Sequence, residues 1–259
     1  MGTKRIAALH ALLVLSVALS GCISENNKSS YSNNDSTNEI PDTFEDGIFT
    51  CLEHDNLTRC WQTHVPETLD SSTPVPLIVD MHGFGSHSTE QRHMSSFDTI
   101  ADEEGFIVVY PDGDSSVDKL TGNTNQAWNA GWCCSHSVNE DIDDVGFIEK
   151  MIQVVTEKYN IDTNRIYASG WSNGCAMSQR LAMESSHVFA AVGCMAMYLL
   201  TEHTTTYSPI PIMEVHGFLD QVVLYESTVL SVPWNEEMWK NPEAYDTGAI
   251  ENIFEWSEH

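Results

Sequence analysis

From about residue 48, the chain alternates short apolar runs with stretches in which apolar residues recur every three or four positions. Such runs, closed by Gly or Pro, are typical of buried strands, and the recurring spacing is typical of amphipathic helices. Near-continuous apolar strands alternating with helices predict an α/β fold with a mostly parallel sheet covered on both faces. The predicted strands are Val75–Met81, Phe106–Tyr110, Arg165–Ser169, Phe189–Gly193 and Ile210–Val215, after an opening hairpin of Ile48–Cys51 and Cys60–Val65.

Two helices are predicted before the central strand. Ser95–Glu104 is one of them. The other follows the pair Asp143-Asp144, whose carboxylates can cap a helix start. Its apolar positions recur at helical spacing, at Ile148, Met151, Ile152, Val155 and Tyr159.

The N-terminal segment resembles an export signal rather than part of the fold. Lys4 and Arg5 precede the apolar run Ile6–Leu19, which is too short to cross a bilayer comfortably. The run ends in Leu-Ser-Gly-Cys22, which resembles the lipobox of secreted lipoproteins. Residues 1–21 are therefore predicted to be a signal peptide and Cys22 a lipidation site that anchors an extracellular protein to a membrane. A plain secretory signal is the alternative.

Residues 22–47 are rich in Ser, Asn, Asp and Glu and contain few large apolar side chains. Such a segment cannot bury enough apolar surface to order itself, which predicts a disordered tether. The folded domain is then expected over residues 48–259.

Acidic residues dominate the charge, with 38 Asp and Glu against 11 Lys and Arg and a net charge of −27. Because the phosphate backbone would be repelled, this balance argues against nucleic acid as a partner. A solvated surface explains the acidity without any specific ligand.

Seven cysteines are consistent with export. Cys51 and Cys60 flank a turn signal between two strand-like runs, so they are predicted to form a disulfide. The pairing of Cys133, Cys134, Cys175 and Cys194 stays open. Adjacent cysteines make poor joint ligands and no C-x-x-C spacing occurs, so no metal site is predicted.

The segment Gly170–Gly174 has the pattern Gly-x-Ser-x-Gly and lies between a predicted strand and a predicted helix. In that context the pattern resembles the nucleophile elbow of an α/β-hydrolase, where a tight turn lifts the serine above the sheet. Ser172 is accordingly the candidate nucleophile. An ordinary serine in a strand-to-helix turn is the alternative.

Acyl transfer also needs donors for the oxyanion, a base, and an acid that orients the base. The backbone N–H groups of Asn173 and Phe84 are the predicted oxyanion donors, the latter from the loop that follows Val75–Met81. His82, in the same loop, is interpreted as a structural anchor rather than the base. Asp220, just after a later strand, is the predicted acid, with an exposed turn aspartate as the alternative.

Taken together, these motifs resemble those of the secreted polyhydroxybutyrate depolymerase-like esterases, a group that includes feruloyl and acetylxylan esterases. The resemblance covers about residues 75 to 225 and implies a Ser–Asp–His carboxylesterase without a cofactor. The matching segments, in the family's order, are Met81–Gly85, Tyr110–Gly113, Trp128–Cys134, Asp143–Ile148, Gly170–Gly174 and His216–Asp220.

The chain departs from that family at the catalytic histidine, which the family carries in a Gly-His-x-Trp-Pro stretch near the C-terminus. No Gly-His pair occurs in this sequence, and His259 is the single histidine after Asp220. We therefore expect residues 48–259 to be a hydrolase domain without its C-terminal segment.

The sequence thus predicts an exported ester hydrolase acting on polyhydroxyalkanoate or on feruloyl or acetyl esters of polysaccharide. Trp128, Trp132 and Trp171 are candidates for an aromatic substrate wall, although buried packing is an equal alternative. A catalytically dead, surface-anchored protein that binds a polymer or glycan is the rival interpretation, and a peptidase on the same scaffold is a third.

Overall fold

The computed structural model describes residues 49–117, 124–131, 136–199, 207–220, 222–225 and 248–258. The predicted signal peptide and tether lie outside these ranges, as do Cys22, Trp132, Cys133, Cys134 and His259. Their predicted roles therefore stay predictions.

Nine strands are found in the described residues: β1 (Phe49–His54), β2 (Leu57–His64), β3 (Val75–Met81), β4 (Ile107–Pro111), β5 (Asp114–Val117), β6 (Thr124–Ala127), β7 (Ile161–Trp171), β8 (Ala191–Met195) and β9 (Ile212–Val215). The predicted runs correspond to β1–β4 and β7–β9. The hairpin of β5 and β6 was not predicted, because its short polar strands carry no apolar run.

Six helices accompany these strands in the described ranges: α1 (Ser88–Ser95), α2 (Phe97–Glu104), α3 (His136–Asn139), α4 (Asp144–Lys158), α5 (Asn173–Glu184) and α6 (Ala249–Glu258). The predicted helix Ser95–Glu104 begins later than expected, because Ser96 has a φ of 56° and separates α1 from α2. None of these helices is long and apolar enough to cross a lipid bilayer.

Seven strands form one sheet in the order β1-β2-β4-β3-β7-β8-β9. β1 and β2 are antiparallel to their neighbours, and the other five strands run parallel. This arrangement confirms the predicted α/β class. Parallel strands end at the same edge of a sheet, so the carboxyl ends of β3, β7, β8 and β9 lie side by side, with Met81 opposite Gly170 and Trp171 opposite Met195.

The core lies between this sheet and its covering helices. Leu77 and Val79 of β3 are fully buried, and so is the face that α4 turns toward the sheet. That face is formed by Phe147, Ile148, Met151, Ile152 and Val155. The predicted helical spacing is confirmed except at Tyr159, which follows the helix as its C-terminal cap.

Two disulfides are found in the described residues. Cys51 and Cys60 are directly opposite each other in the β1–β2 hairpin, with Cα atoms 4.1 Å apart, as predicted. The second disulfide joins Cys175 of α5 to Cys194 of β8 and resolves a pairing that the sequence left open. This bond ties the helix that follows Ser172 to the neighbouring strand.

The two aspartates at the start of α4 have different roles. Asp143 is the cap and accepts a hydrogen bond from the Gly146 N–H at 2.9 Å. Asp144, which was predicted to share that role, instead forms a fully buried ion pair with Arg59 of β2 at 2.6 Å. Its second oxygen accepts the Asn129 N–H, also at 2.6 Å. The pair therefore joins the antiparallel end of the sheet to the loop after β6.

Removing one partner of this pair should be costly. We expect Arg59→Met to lower the free energy of unfolding by about 3–5 kcal/mol, because Asp144 keeps a buried charge without its counter-ion. Urea denaturation followed by tryptophan fluorescence measures the loss.

The control is Arg165→Met, which breaks a partly exposed ion pair with Asp162 and should cost less than about 1 kcal/mol. Adding Asp144→Asn to Arg59→Met should restore part of the stability. Equal losses for the two arginine variants would show that the buried pair has no special importance.

Candidate active site

Ser172 lies at the junction between β7 and α5, where the chain reverses direction. Its φ of 52° and ψ of −121° are sparsely populated for a residue with a side chain. Its own N–H donates to the Met195 carbonyl at the end of β8, at 2.9 Å. The strained conformation is thus held by the neighbouring strand, as expected for a serine presented above a sheet.

The glycines on either side of Ser172 are required by close backbone packing. A Cβ added to Gly170 would lie 2.6 Å from the Gly174 carbonyl oxygen and 2.8 Å from the Met81 oxygen. A Cβ on Gly174 would overlap the carbonyl oxygens of Met81 and His82. Both positions must therefore lack a side chain.

The loop after β3 lies directly against Ser172. A Cβ on Gly83 would be 3.4 Å from the Ser172 Cβ and 3.1 Å from Cε3 of Trp171. The next residue is Phe84, whose side chain is half exposed. The fold therefore brings both predicted oxyanion donors, Phe84 and Asn173, next to the candidate nucleophile.

Neither donor N–H is used elsewhere in the part of the chain that the structure describes. In the loop, the N–H groups of Gly85 and Ser86 donate to the carbonyls of Gln126 and Gly83, and no hydrogen bond uses that of Phe84. Asn173 is the first residue of α5, where backbone N–H groups have no partner within the helix. Both groups can bind an incoming oxygen.

His82 anchors this loop and is fully buried. Its Nε2 accepts the Gly113 N–H at 2.9 Å, so Nδ1 carries the proton and donates to the Gly83 carbonyl at 2.7 Å. Burial lowers the pKa of His82 to about 4, which keeps the ring neutral. The interpretation of His82 as a structural anchor agrees with this geometry.

The three tryptophans of the predicted substrate wall differ in their exposure and in whether the structure describes them. Trp128 is fully buried, and its indole N–H donates to the His82 carbonyl at 2.9 Å. Asn173 holds the Trp128 backbone with two side-chain hydrogen bonds. Trp128 is therefore a packing residue, which corrects the prediction that it lines a substrate wall. Trp171 is 41% exposed beside Ser172 and stays a candidate, and Trp132 lies outside the described residues.

Asp220 follows β9 in a tight turn at the same edge of the sheet as Ser172. Its Oδ1 accepts the N–H groups of Val222 and Val223, at 2.8 and 3.0 Å. Its Oδ2 is 3.8 Å from Nε2 of His216. One carboxylate oxygen thus fixes the turn, and no hydrogen bond within the described residues uses the other.

No histidine of the described ranges is hydrogen-bonded to the Ser172 hydroxyl. Both ring nitrogens of His82 are engaged, and so are those of His216, which bind Glu214 and the Val223 carbonyl. Within the same ranges, no cluster of His, Cys, Asp and Glu side chains could hold a metal ion. Within the described residues, the candidate site therefore consists of Ser172 and the predicted donors Phe84 and Asn173, with the predicted acid Asp220 at the same edge of the sheet.

Sequence reasoning missed one buried feature near Asp220. Glu214 and His216 form an ion pair at 2.6 Å with side chains that are almost completely buried. The one sequence signal for this contact is the His216-Gly217 pair that precedes the turn. Asp220, the predicted acid, therefore lies beside the buried Glu214–His216 contact.

Comparisons with known proteins place this site in a family context. The family model described as esterase PHB depolymerase matches residues 60–235. Feruloyl esterase B of Piromyces equi is 29% identical over 197 residues, covering 74% of this chain and 34% of that protein. The bifunctional acetylxylan esterase/xylanase XynS20E of Neocallimastix patriciarum is 28% identical over 151 residues, covering 58% of this chain and 20% of that protein.

Among solved structures, native pOPH matches with a TM-score of 0.54 at 18% identity, covering 71% of this chain and 73% of that one. This similarity concerns the fold. The chain spans only about a third and a fifth of the length of the two relatives named above.

The anchoring role of His82 can be tested by replacing it. His82→Gln should lower the free energy of unfolding at pH 7 by about 2–3 kcal/mol, because one amide group cannot accept the Gly113 N–H and donate to the Gly83 carbonyl from the two positions of the ring nitrogens. His87→Gln, at an exposed histidine of the same loop, should change it by less than about 0.5 kcal/mol.

The difference between wild type and His82→Gln should depend on pH. Native His82 stays neutral down to about pH 4, whereas the unfolded ring binds a proton near pH 6.5, so wild type loses this stabilisation as pH falls between these values. Urea denaturation at pH 7, 5.5 and 4.5 should show the gap narrowing. A gap that widens toward acid would contradict the neutral-anchor assignment.

Proposed function

Because the chain belongs to the esterase PHB depolymerase family, we propose that it is a carboxylic-ester hydrolase with Ser172 as its nucleophile. The observation that carries this proposal is the conformation of Ser172. It has a positive φ on a turn so tight that Gly170 and Gly174 admit no side chain, with two unused N–H donors beside it. A serine with only a structural role would not need this strained presentation.

In the proposed reaction, Ser172 Oγ attacks the ester carbonyl carbon and gives a tetrahedral intermediate. Its negative oxygen is stabilised by the N–H groups of Phe84 and Asn173, because backbone donors that are fixed before the reaction need no reorganisation. Collapse of the intermediate expels the alcohol and leaves an acyl-serine. Water then hydrolyses the acyl-enzyme and regenerates the hydroxyl. The scheme uses only groups of the protein and water.

A base must accept the Ser172 proton and return it to the leaving alcohol. The family resemblance assigns this role to a histidine oriented by Asp220. The contacts of Asp220 support the assignment, because Oδ1 is committed to the turn and Oδ2 remains able to accept an imidazole N–H. The carboxylate is thus held in one orientation by its own loop.

The exposed aromatic side chains of Trp171 and Phe84 border the nucleophile and favour an apolar or aromatic acyl group. Feruloyl and acetyl esters of polysaccharide, and polyhydroxyalkanoate, remain the proposed substrates, in keeping with the names of the relatives. Export and anchoring through a lipid on Cys22 are also proposed, which would place the enzyme at the cell surface.

Ser172→Ala should abolish esterase activity. We expect p-nitrophenyl acetate hydrolysis by the purified chain to fall at least about a hundredfold, because no acyl-enzyme can form. A fluorophosphonate probe should add one label to wild type, seen by intact mass, and none to the variant. Ser71→Ala, at an exposed turn serine, is the matched control and should behave as wild type.

Undiminished labelling of Ser172→Ala would reject Ser172 as the nucleophile. A wild-type protein that carries the C-terminal histidine segment implied by the family resemblance, and that neither hydrolyses esters nor reacts with the probe, would reject the esterase proposal and favour the polymer-binding interpretation.

Trp171 is expected to contribute to the recognition of aromatic acyl groups. Trp171→Ala should lower kcat/KM for methyl ferulate about three- to tenfold, because ring stacking is lost, and should change that for p-nitrophenyl acetate less. Phe49→Ala removes a comparably exposed ring from β1, at the far edge of the sheet, and should leave both substrates unaffected. Equal losses on both substrates would argue against a selective contact.

A further inference from the structure

His216 is buried at the end of β9, where both of its ring nitrogens face oxygen acceptors. Its side chain is 3% exposed, and that of its partner Glu214 is 1% exposed. Nδ1 lies 2.6 Å from Glu214 Oε1, and Nε2 lies 2.7 Å from the Val223 carbonyl oxygen. A carbonyl oxygen can only accept, so Nε2 must carry a proton.

The second proton follows from the Glu214 contact. An ionised carboxylate is also only an acceptor, so Nδ1 must carry a proton as long as Glu214 is charged. His216 is then an imidazolium, and Glu214 neutralises it inside the protein. A neutral ring would leave one buried acceptor without a donor, which is costly.

The ring acts on the residue that holds the proposed catalytic acid. Val223 accepts from His216 through its carbonyl, while its N–H donates to Asp220 Oδ1 at 3.0 Å. The same peptide segment is therefore clamped on both sides. Because the second carboxylate oxygen of Asp220, Oδ2, lies 3.8 Å from Nε2, the positive ring attracts the carboxylate that it helps to orient.

We propose that the buried Glu214–His216 pair is a positioning device that fixes the turn carrying Asp220. The proposal rests on the proposed function in one respect, namely that Asp220 is the catalytic acid. Neither residue of the pair touches substrate in this scheme. Both act through Val223 and the turn.

The pair is connected to the helix that follows the nucleophile. Asn252 of α6 donates through its amide nitrogen to Glu214 Oε2 at 3.4 Å and to Gln179 Oε1 at 2.9 Å. Gln179 lies on α5 and also accepts the Trp256 indole N–H at 2.9 Å. A continuous set of hydrogen bonds thus runs from α5 through α6 to the acid turn. This arrangement fixes the acid relative to the nucleophile.

Among the described residues, the titratable groups that face His216 are Glu214 on the strand before it, Asp220 in its own turn, and the phenol of Tyr225, whose ring centre is 6.2 Å away. From α6, the uncharged Asn252 contacts Glu214. Glu251, on the same helix, accepts the Gly248 N–H at the start of the helix. Burial lowers the pKa of His216, but the bonds to Glu214 and Val223 and the charges of Glu214 and Asp220 outweigh it and raise the pKa above the ordinary value.

A raised pKa sets the direction of the pH dependence. The charged ring stabilises the folded turn at low and neutral pH, and this stabilisation is lost as pH rises through the raised pKa of His216. The positioning effect should therefore fail on the alkaline side.

The deciding experiment is nitrogen-15 NMR of the histidine rings in the full chain, titrated from pH 5 to pH 10. We expect both ring nitrogens of His216 to be protonated at pH 7, with a pKa above that of an ordinary histidine. The amide signals of Val222 and Val223 should shift with the same midpoint. Glu214→Gln should lower the His216 pKa, and His187→Gln, at an exposed histidine, should leave it unchanged.

Kinetics supply an independent measure. In His216→Gln, kcat for p-nitrophenyl acetate should fall about ten- to a hundredfold with little change in KM, because a displaced acid misorients the base rather than weakening binding. In Glu214→Gln, the decline of kcat on the alkaline side of the pH profile should begin at a lower pH than in wild type.

The NMR result separates this inference from the proposed function. A ring titration that moves the Val223 amide supports the positioning pair, whether or not the chain turns over an ester. A His216 ring that is neutral at pH 7, or a pKa that Glu214→Gln does not change, overturns the inference even in an active enzyme.

Discussion

The close approach of β3 to the turn between β7 and α5 is the constraint on which the rest of the site depends. The Met81 carbonyl occupies the space that side chains at positions 170 and 174 would need, so both residues must be glycine. In this crowded turn Ser172 has a φ of 52°. The same approach brings the loop after β3 against the serine, so one steric condition positions both the proposed nucleophile and its proposed oxyanion donors.

Buried polar contacts make this crowded region rigid. Asn173 holds the Trp128 backbone, the Trp128 indole holds the His82 carbonyl, and His82 accepts the Gly113 N–H. Each contact satisfies a group that has lost its water, so breaking one leaves an unpaired partner. Because His82 is neutral, this series of hydrogen bonds places no net charge on the buried ring. The loop that carries Phe84 is therefore held in place before any substrate arrives.

On the other side of the candidate site, the turn that carries Asp220 depends on the proposed Glu214–His216 ion pair. The turn after β9 is short, and several of its side chains are exposed, as Phe218 and Leu219 show. Its geometry rests on backbone bonds to Asp220 and on the buried pair beneath it. The loop after β3 is anchored by the neutral His82, and the turn after β9 by the proposed Glu214–His216 ion pair. The stability of the loop should therefore fall in acid, and that of the turn in alkali.

Local patterns in the sequence determined the α/β class, the turn at Ser172, the helix start at Asp143-Asp144 and the Cys51–Cys60 disulfide, because each depends on residues that are near one another in the chain. The tertiary structure alone decided the burial of Trp128, the pairing of Cys175 with Cys194, and the contacts of both His216 ring nitrogens. These features arise where β3, β8, β9 and α6 meet across long separations, and burial and ionisation depend on which groups those elements bring together.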